Sequence, residues 1–129
     1  MKAPDPYVYI IVRKDLASIM PEYPTVQSCH AAFESGAAFG RPEKPSYLIL
    51  LAVENKDELV AAYEKLLGAG IRVVAFSEPD HSAGLTAIAT EPLYTPAQKR
   101  LFEAYPLWKA PGIRMMPVTQ APPFHFEPT

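Results

Sequence analysis

Two groups of polar side chains in this 129-residue chain are spaced so that they could do chemistry. In the stretch QSCHAAFE, Gln27, His30 and Glu34 lie at offsets of three and seven residues, which on a helix places an amide, an imidazole and a carboxylate along one stripe. Such a stripe can orient a water or a substrate carbonyl, and an imidazole can take up the proton that the water gives up. The second group is Asp80, His81, Ser82 and Thr86, in and just after the turn-rich stretch SEPDHSAG, at strand ends where α/β proteins commonly carry functional side chains. Each group also has a structural reading. His30 would then be a partly buried imidazole satisfied by a neighbour, and Asp80 and Ser82 would be turn formers that hydrogen-bond nearby backbone.

The remaining residues narrow the chemistry. The histidines, His30, His81 and His125, have no pair at the close spacing of a zinc site, and Cys29 is the only cysteine, so neither a structural metal nor an intrachain disulfide is expected. Cys29 lies in an alanine-rich helical stretch and is expected to pack as a small buried thiol rather than react. No phosphate-binding glycine loop, dinucleotide fingerprint or G-x-S-x-G elbow is present, and no cofactor is expected. A net charge of −2 gives no global attraction to a polyanion, so nucleic-acid binding would need a local basic patch. Arg13 with Lys14, and Lys99 with Arg100, are separated pairs of the kind that is commonly solvated. No segment approaches a membrane span, and a cytoplasmic protein is expected.

The elements that must position these residues follow from periodicity. Tyr7 to Val12 is a continuous β-branched and aromatic run, suited to a central strand buried on both faces. After a loop with Pro21 and Pro24, the segment from Val26 to Phe39 reads as a helix. Val26, Cys29, Phe33 and Ala37 form its apolar stripe, and its alanines with Gly36 would allow a close approach to a sheet. Tyr47 to Val53 is a second strand, and Asn55 with Glu58 caps a helix carrying Leu59, Tyr63, Leu66 and Leu67 on one face, closed by Gly68 and Gly70. Ile71 to Phe76 and Leu85 to Thr90 are a third and fourth strand, with an antiparallel return between them. A capping box from Thr95 to Gln98, with Pro96 at the first helical position, starts a short third helix extending to Tyr105. The order predicts an α/β domain over residues 1–105. Residues 106–129, rich in proline and aromatic side chains, are expected to pack on that domain or on a partner subunit.

Three stretches taken in order resemble the type 2 peptidyl-tRNA hydrolase family. IIVRKDL, residues 10–16, is similar to the end of the family's first strand. QSCHAA, residues 27–32, resembles its Q-x-x-H-A helix signature, and SAGLTAIAT, residues 82–90, resembles its D-A-G-x-T-Q turn and last strand. The resemblance covers roughly residues 7–93. It implies a three-layer α/β/α domain around a four-stranded mixed sheet, often dimeric, that hydrolyses the ester joining a peptide to tRNA. By motif position it implies Gln27, His30 and Thr86 as catalytic residues and Ser82 and Gly84 as substrate-binding residues; Asp80, standing in for the family's aspartate after a loop shift, is expected as a further catalytic residue and Lys14 as a further substrate-binding residue, with tRNA and a second copy of the chain as partners. Asp15, at the matching strand end, would instead hold the loop.

The chain also departs from that pattern. MPEYPT, residues 20–25, stands where the family has a lysine-rich segment, with Glu22 where positive charge is expected. The family's aspartate and glutamine at the turn fall on Ser82 and Ala87, with Asp80 two residues from the expected position. Two functions therefore follow from the sequence: a hydrolase of peptidyl-tRNA or a related acyl substrate, and a non-catalytic binding or assembly protein on the same fold, whose tail, with Trp108, Phe124 and Phe126, mediates self-association.

Overall fold

A computed structural model describes residues 4–79 and 83–109. The elements are β1 (Tyr7–Arg13), a 3-10 turn (Lys14–Ser18), α1 (Tyr23–Phe39), β2 (Tyr47–Val53), α2 (Lys56–Gly68), β3 (Val73–Ser77), β4 (Leu85–Thr90) and α3 (Pro96–Arg100). The strands form one mixed sheet in the order β2-β1-β4-β3. β1 runs parallel to β2 from Tyr7 opposite Tyr47 to Arg13 opposite Val53, while β4 is antiparallel to both β1 and β3.

The side-chain alternation of β1 divides the core in two. Tyr9 and Ile11 face one side, where they meet Leu51, Val53 and Ile88 from the sheet and Leu59, Ala62 and Leu66 from α2. Val8, Ile10 and Val12 face the other, with Ala87 and Ala89 of β4 and with Tyr23 and Ala31 of α1. A strand with apolar groups on both faces has to be covered twice, so the helices flank the sheet and the expected three-layer α/β/α arrangement with a four-stranded mixed sheet is what forms.

α2 follows its sequence closely except at Leu67, expected on the buried face but exposed. Asn55 Oδ1 accepts from the Glu58 backbone N–H at 3.0 Å, and Leu59 and Leu66 are fully buried. α3 is shorter than expected, because after Arg100 the chain leaves the helix for a series of turns. Phe102 stacks on Tyr9 with ring centroids 3.9 Å apart and Lys99 Nζ lies 3.9 Å from the centre of the Tyr7 ring, so this region closes the α2 side of the core, and of the basic pair read as solvated Arg100 is exposed while Lys99 is engaged.

α1 corrects the sequence reading in two ways. It begins at Tyr23, three residues early, because Pro24 occupies the first turn, where a missing N–H costs nothing. Its buried face is not the stripe of Val26, Cys29, Phe33 and Ala37, all of which are exposed, Phe33 at 76 %. The buried residues are Tyr23, Pro24, Gln27, Ser28, Ala31 and Ser35. Below them β4 presents Ala87 and Ala89, so helix and sheet come close together, and only small side chains or side chains with their own hydrogen bonds fit between them. Ser28 Oγ donates to the Pro24 carbonyl and Ser35 Oγ to the Thr90 carbonyl, both at 2.7 Å, so their burial leaves no hydroxyl unsatisfied. Cys29 is accordingly an exposed thiol, not a buried one. Gly36 is also exposed, with open space at its Cβ position, and the close approach does not depend on it.

Candidate functional site

The site lies at the end of the sheet where β1 and β2 terminate, β3 ends and β4 begins. Because each parallel strand is followed by a helix, the N-termini of α1 and α2 also reach this end, the usual location for ligands in α/β folds.

At its centre is a buried polar relay. Gln27, 1 % exposed on α1, accepts a 2.6 Å hydrogen bond at Oε1 from Thr86 Oγ1 and donates from Nε2 to Glu78 Oε2 at 2.9 Å. Thr86 Oγ1 also lies 3.1 Å from the Phe76 carbonyl oxygen. Thr86 reaches Gln27 because the β3–β4 ladder slips: Phe76 pairs with Ala87 but Ser77 pairs with Leu85, leaving Thr86 as the extra residue of a β-bulge. In a regular ladder Thr86 would share a face with Ile88, which packs on the α2 side. The bulge turns it toward α1.

His30 stands one turn along α1 from Gln27, exposed at its edges, with its ring stacked on Phe76 at a centroid distance of 4.6 Å and an interplanar angle of 2°. Among the described residues its nitrogens make no hydrogen bond. Gln27 and His30 are thus held over the same end of β3, one buried and bonded, the other facing outward.

The cationic side of the site is built by residues that the sequence reading passed over. Arg13, read from sequence as one of a solvated pair, is largely buried. Its Nε and Nη2 donate to the two carboxylate oxygens of Asp15 at 3.0 and 2.8 Å, and its Nη1 donates to the Ala83 and Leu85 carbonyls at 2.6 and 2.9 Å. Asp15 therefore aligns a guanidinium that ties the end of β1 to the start of β4, in keeping with a loop-holding role. The adjacency of an arginine at a strand end to an aspartate two residues later was the available signal. Lys56, the first residue of α2, is the second such group. Gly84 has φ +73°, and a Cβ built there would lie 3.0 Å from Lys56 Nζ, so the lysine ammonium rests directly against the turn. Nothing in local sequence joins positions 56 and 84.

The other expected site residues fall as follows. Lys14 lies at the same sheet end, with its ammonium 3.1 Å from Glu54. Asp80 and Ser82, with His81, lie outside the described residues. Glu34 is exposed on α1. Among the described residues no group of three His, Cys, Asp or Glu side chains converges to hold a metal ion, and no helix is long and apolar enough to cross a membrane.

Compared with protein-family profiles and with curated proteins, the chain matches none of them.

Proposed function

We propose that this chain is a peptidyl-tRNA hydrolase-like protein of the cytoplasm that cleaves the ester of peptidyl-tRNA or of a smaller acyl substrate at the β1/β2 end of the sheet. The observation that carries the reading is the convergence of Gln27 and Thr86, 59 positions apart in sequence, into a 2.6 Å hydrogen bond beside an outward-facing His30. A side-chain amide is expensive to bury, and here its carbonyl and one N–H are committed to two separate elements, which fixes the floor under the imidazole.

In this reading His30 is the catalytic base. Its ring orientation is set by the Phe76 face, and a ring nitrogen takes a proton from water as the water attacks the ester carbonyl. The tetrahedral oxyanion then collapses, expelling the alcohol oxygen, which recovers the proton from the imidazolium. Gln27 and Thr86 are positioning residues, because both are buried. Lys56 and Arg13 supply positive charge around the 83–84 turn, where a developing oxyanion or a phosphate would be stabilised. This reading includes tRNA and a homodimer as partners. Carboxylates hold much of the local positive charge, with Glu54 on Lys14 and Asp15 on Arg13, which favours a substrate making few phosphate contacts.

The same pairing favours the second reading, a non-catalytic binding module. Peptidyl-tRNA hydrolysis at low salt, measured for the wild type and for His30→Ala, Gln27→Ala and Lys56→Ala, separates the two. If His30 is the base, His30→Ala loses about 10²-fold or more in kcat with its melting temperature unchanged, since the residue is exposed. Gln27→Ala loses both turnover and stability, because it vacates a buried amide site. A wild type that neither hydrolyses nor binds tRNA at low salt leaves the binding module as the function. An active wild type with an equally active His30→Ala removes the histidine from the chemistry.

A further inference from the structure

The two ends of the Gln27 amide meet different chemistry. Toward β4 the neighbour is Thr86 Oγ1, a hydroxyl that can donate or accept, and toward the end of β3 it is the Glu78 carboxylate, 2.9 Å away. Either orientation of the amide would suit the hydroxyl. With Oε1 toward β4 the hydroxyl donates to it at 2.6 Å. With the amide turned by half a revolution, Nε2 would donate to Thr86 Oγ1 and the hydroxyl proton would go to the Phe76 carbonyl oxygen, which is already 3.1 Å away. An ionised carboxylate accepts only the first arrangement, because it has no proton to donate and a turned amide would set a carbonyl oxygen against it.

We infer that Glu78 is a third positioning residue of the site: its carboxylate fixes which end of the Gln27 amide faces β4, and so the direction in which the hydrogen bonds of the relay point. With Glu78 in place they all run one way, from the Thr86 hydroxyl to the Gln27 carbonyl and from the Gln27 N–H to the carboxylate. Gln27 and Thr86 are 1 % and 0 % exposed, so a partner lost there is not replaced by solvent, whereas Glu78 is half-buried at the rim. Its place is set by the end of β3. Phe76, which carries the His30 ring, stands two residues before it, and Gln27 stands one turn from His30 on α1. The amide that Glu78 orients is therefore the one beneath the imidazole. Its bearing on turnover rests on the hydrolase reading, but the orientation itself does not.

The test uses the full chain labelled with ¹⁵N. Gln98, Gln120 and Asn55 are the only other side-chain amides in the sequence, so the Gln27 pair can be assigned directly. In the wild type one proton of that pair should lie downfield, as a donor to a carboxylate does, and exchange with solvent at least about tenfold more slowly than the amide protons of the exposed Asn55 side chain. Glu78→Ala should abolish both properties. Glu78→Gln keeps the shape and can satisfy the amide either way round, so two sets of Gln27 resonances are expected, while Thr86→Ser, which keeps the hydroxyl, should leave the pair unchanged. In the peptidyl-tRNA assay Glu78→Gln should lower kcat about tenfold with KM unchanged, a split that a loss of substrate binding would not give. A Gln27 pair with the same shift and protection in Glu78→Ala as in the wild type would overturn the inference. So would wild-type kcat in a Glu78→Gln protein whose Gln27 pair has doubled, since the orientation would then have no bearing on the site. A wild type without hydrolysis counts against the hydrolase reading alone, and the spectra then decide the orientation by themselves.

Discussion

The two faces of the sheet are built on opposite plans. Against α2 the core is made of large residues, with Leu59, Leu66, Ile11, Ile88 and the Tyr9–Phe102 stack filling the space between helix and sheet. Against α1 the sheet carries Ala87 and Ala89, and the helix answers with Ala31, Ser28, Ser35 and Gln27. The first plan gains stability from buried apolar area. The second brings the helix backbone close and uses the interface to hold polar groups in fixed positions, at the cost of leaving Val26 and Phe33 outside. The candidate site belongs to the second face: the helix that meets β4 through small and hydrogen-bonded side chains is the one that carries the polar relay.

Substitutions that interchange the two plans test this contrast. The largest effect is expected at Leu66, fully buried on α2, where Leu66→Ala should cost about 2–5 kcal/mol in denaturant unfolding while leaving the Gln27–Thr86 relay in place. A cost under about 1 kcal/mol would mean that the α2 face is loosely packed. Next in size is Ala31→Leu on α1, which adds bulk where helix and sheet are closest. It should destabilise by about 1–3 kcal/mol, whereas a larger residue at a loosely packed site would be neutral or stabilising. The smallest effect is a titration on the α2 side. Burial, then the neighbouring Tyr7 and Glu103, raise the Tyr9 hydroxyl above its ordinary value near 10. The unfolded chain therefore loses this proton first. The contribution is fully present below about pH 10 and is lost as pH rises through the folded-state value, so Tyr9→Phe should flatten the alkaline decline of stability.

The same contrast decided what the sequence could tell. α2, with a capped start and leucines at helical spacing, was readable because its buried face is also its apolar face. The four strands were readable for a similar reason, since Tyr7 to Val12 and Tyr47 to Val53 contain little except residues that must be buried. α1 was misread because hydrophobic periodicity selects the stripe with the most carbon, and here the sheet selects the stripe with the least volume. Gln27 and His30 could be picked out by type and spacing, yet nothing local indicated that Gln27 would be buried and His30 exposed. That depends on which way the helix is rotated about its axis, and the alanines of β4 set that rotation from more than fifty residues away. Thr86 was found by motif position, but its orientation depends on a bulge that alternation alone cannot indicate. For Arg13 the aspartate two residues later was a visible signal, but its contacts with the backbone carbonyls of Ala83 and Leu85 leave no mark in side-chain pattern.

The contacts that assemble the candidate site also order its appearance in time. Arg13 reaches Ala83 across 70 residues of sequence, Gln27 reaches Thr86 across 59 and Glu78 across 51. All three wait on β4 inserting between β1 and β3, a step that closes long loops. Contacts of such wide sequence separation form slowly and are lost together when a terminal hairpin detaches. During synthesis β1, α1, β2 and α2 emerge first and can form a helix-covered parallel pair with no site at all. The relay is therefore completed in one step, when β4 enters the middle of the sheet.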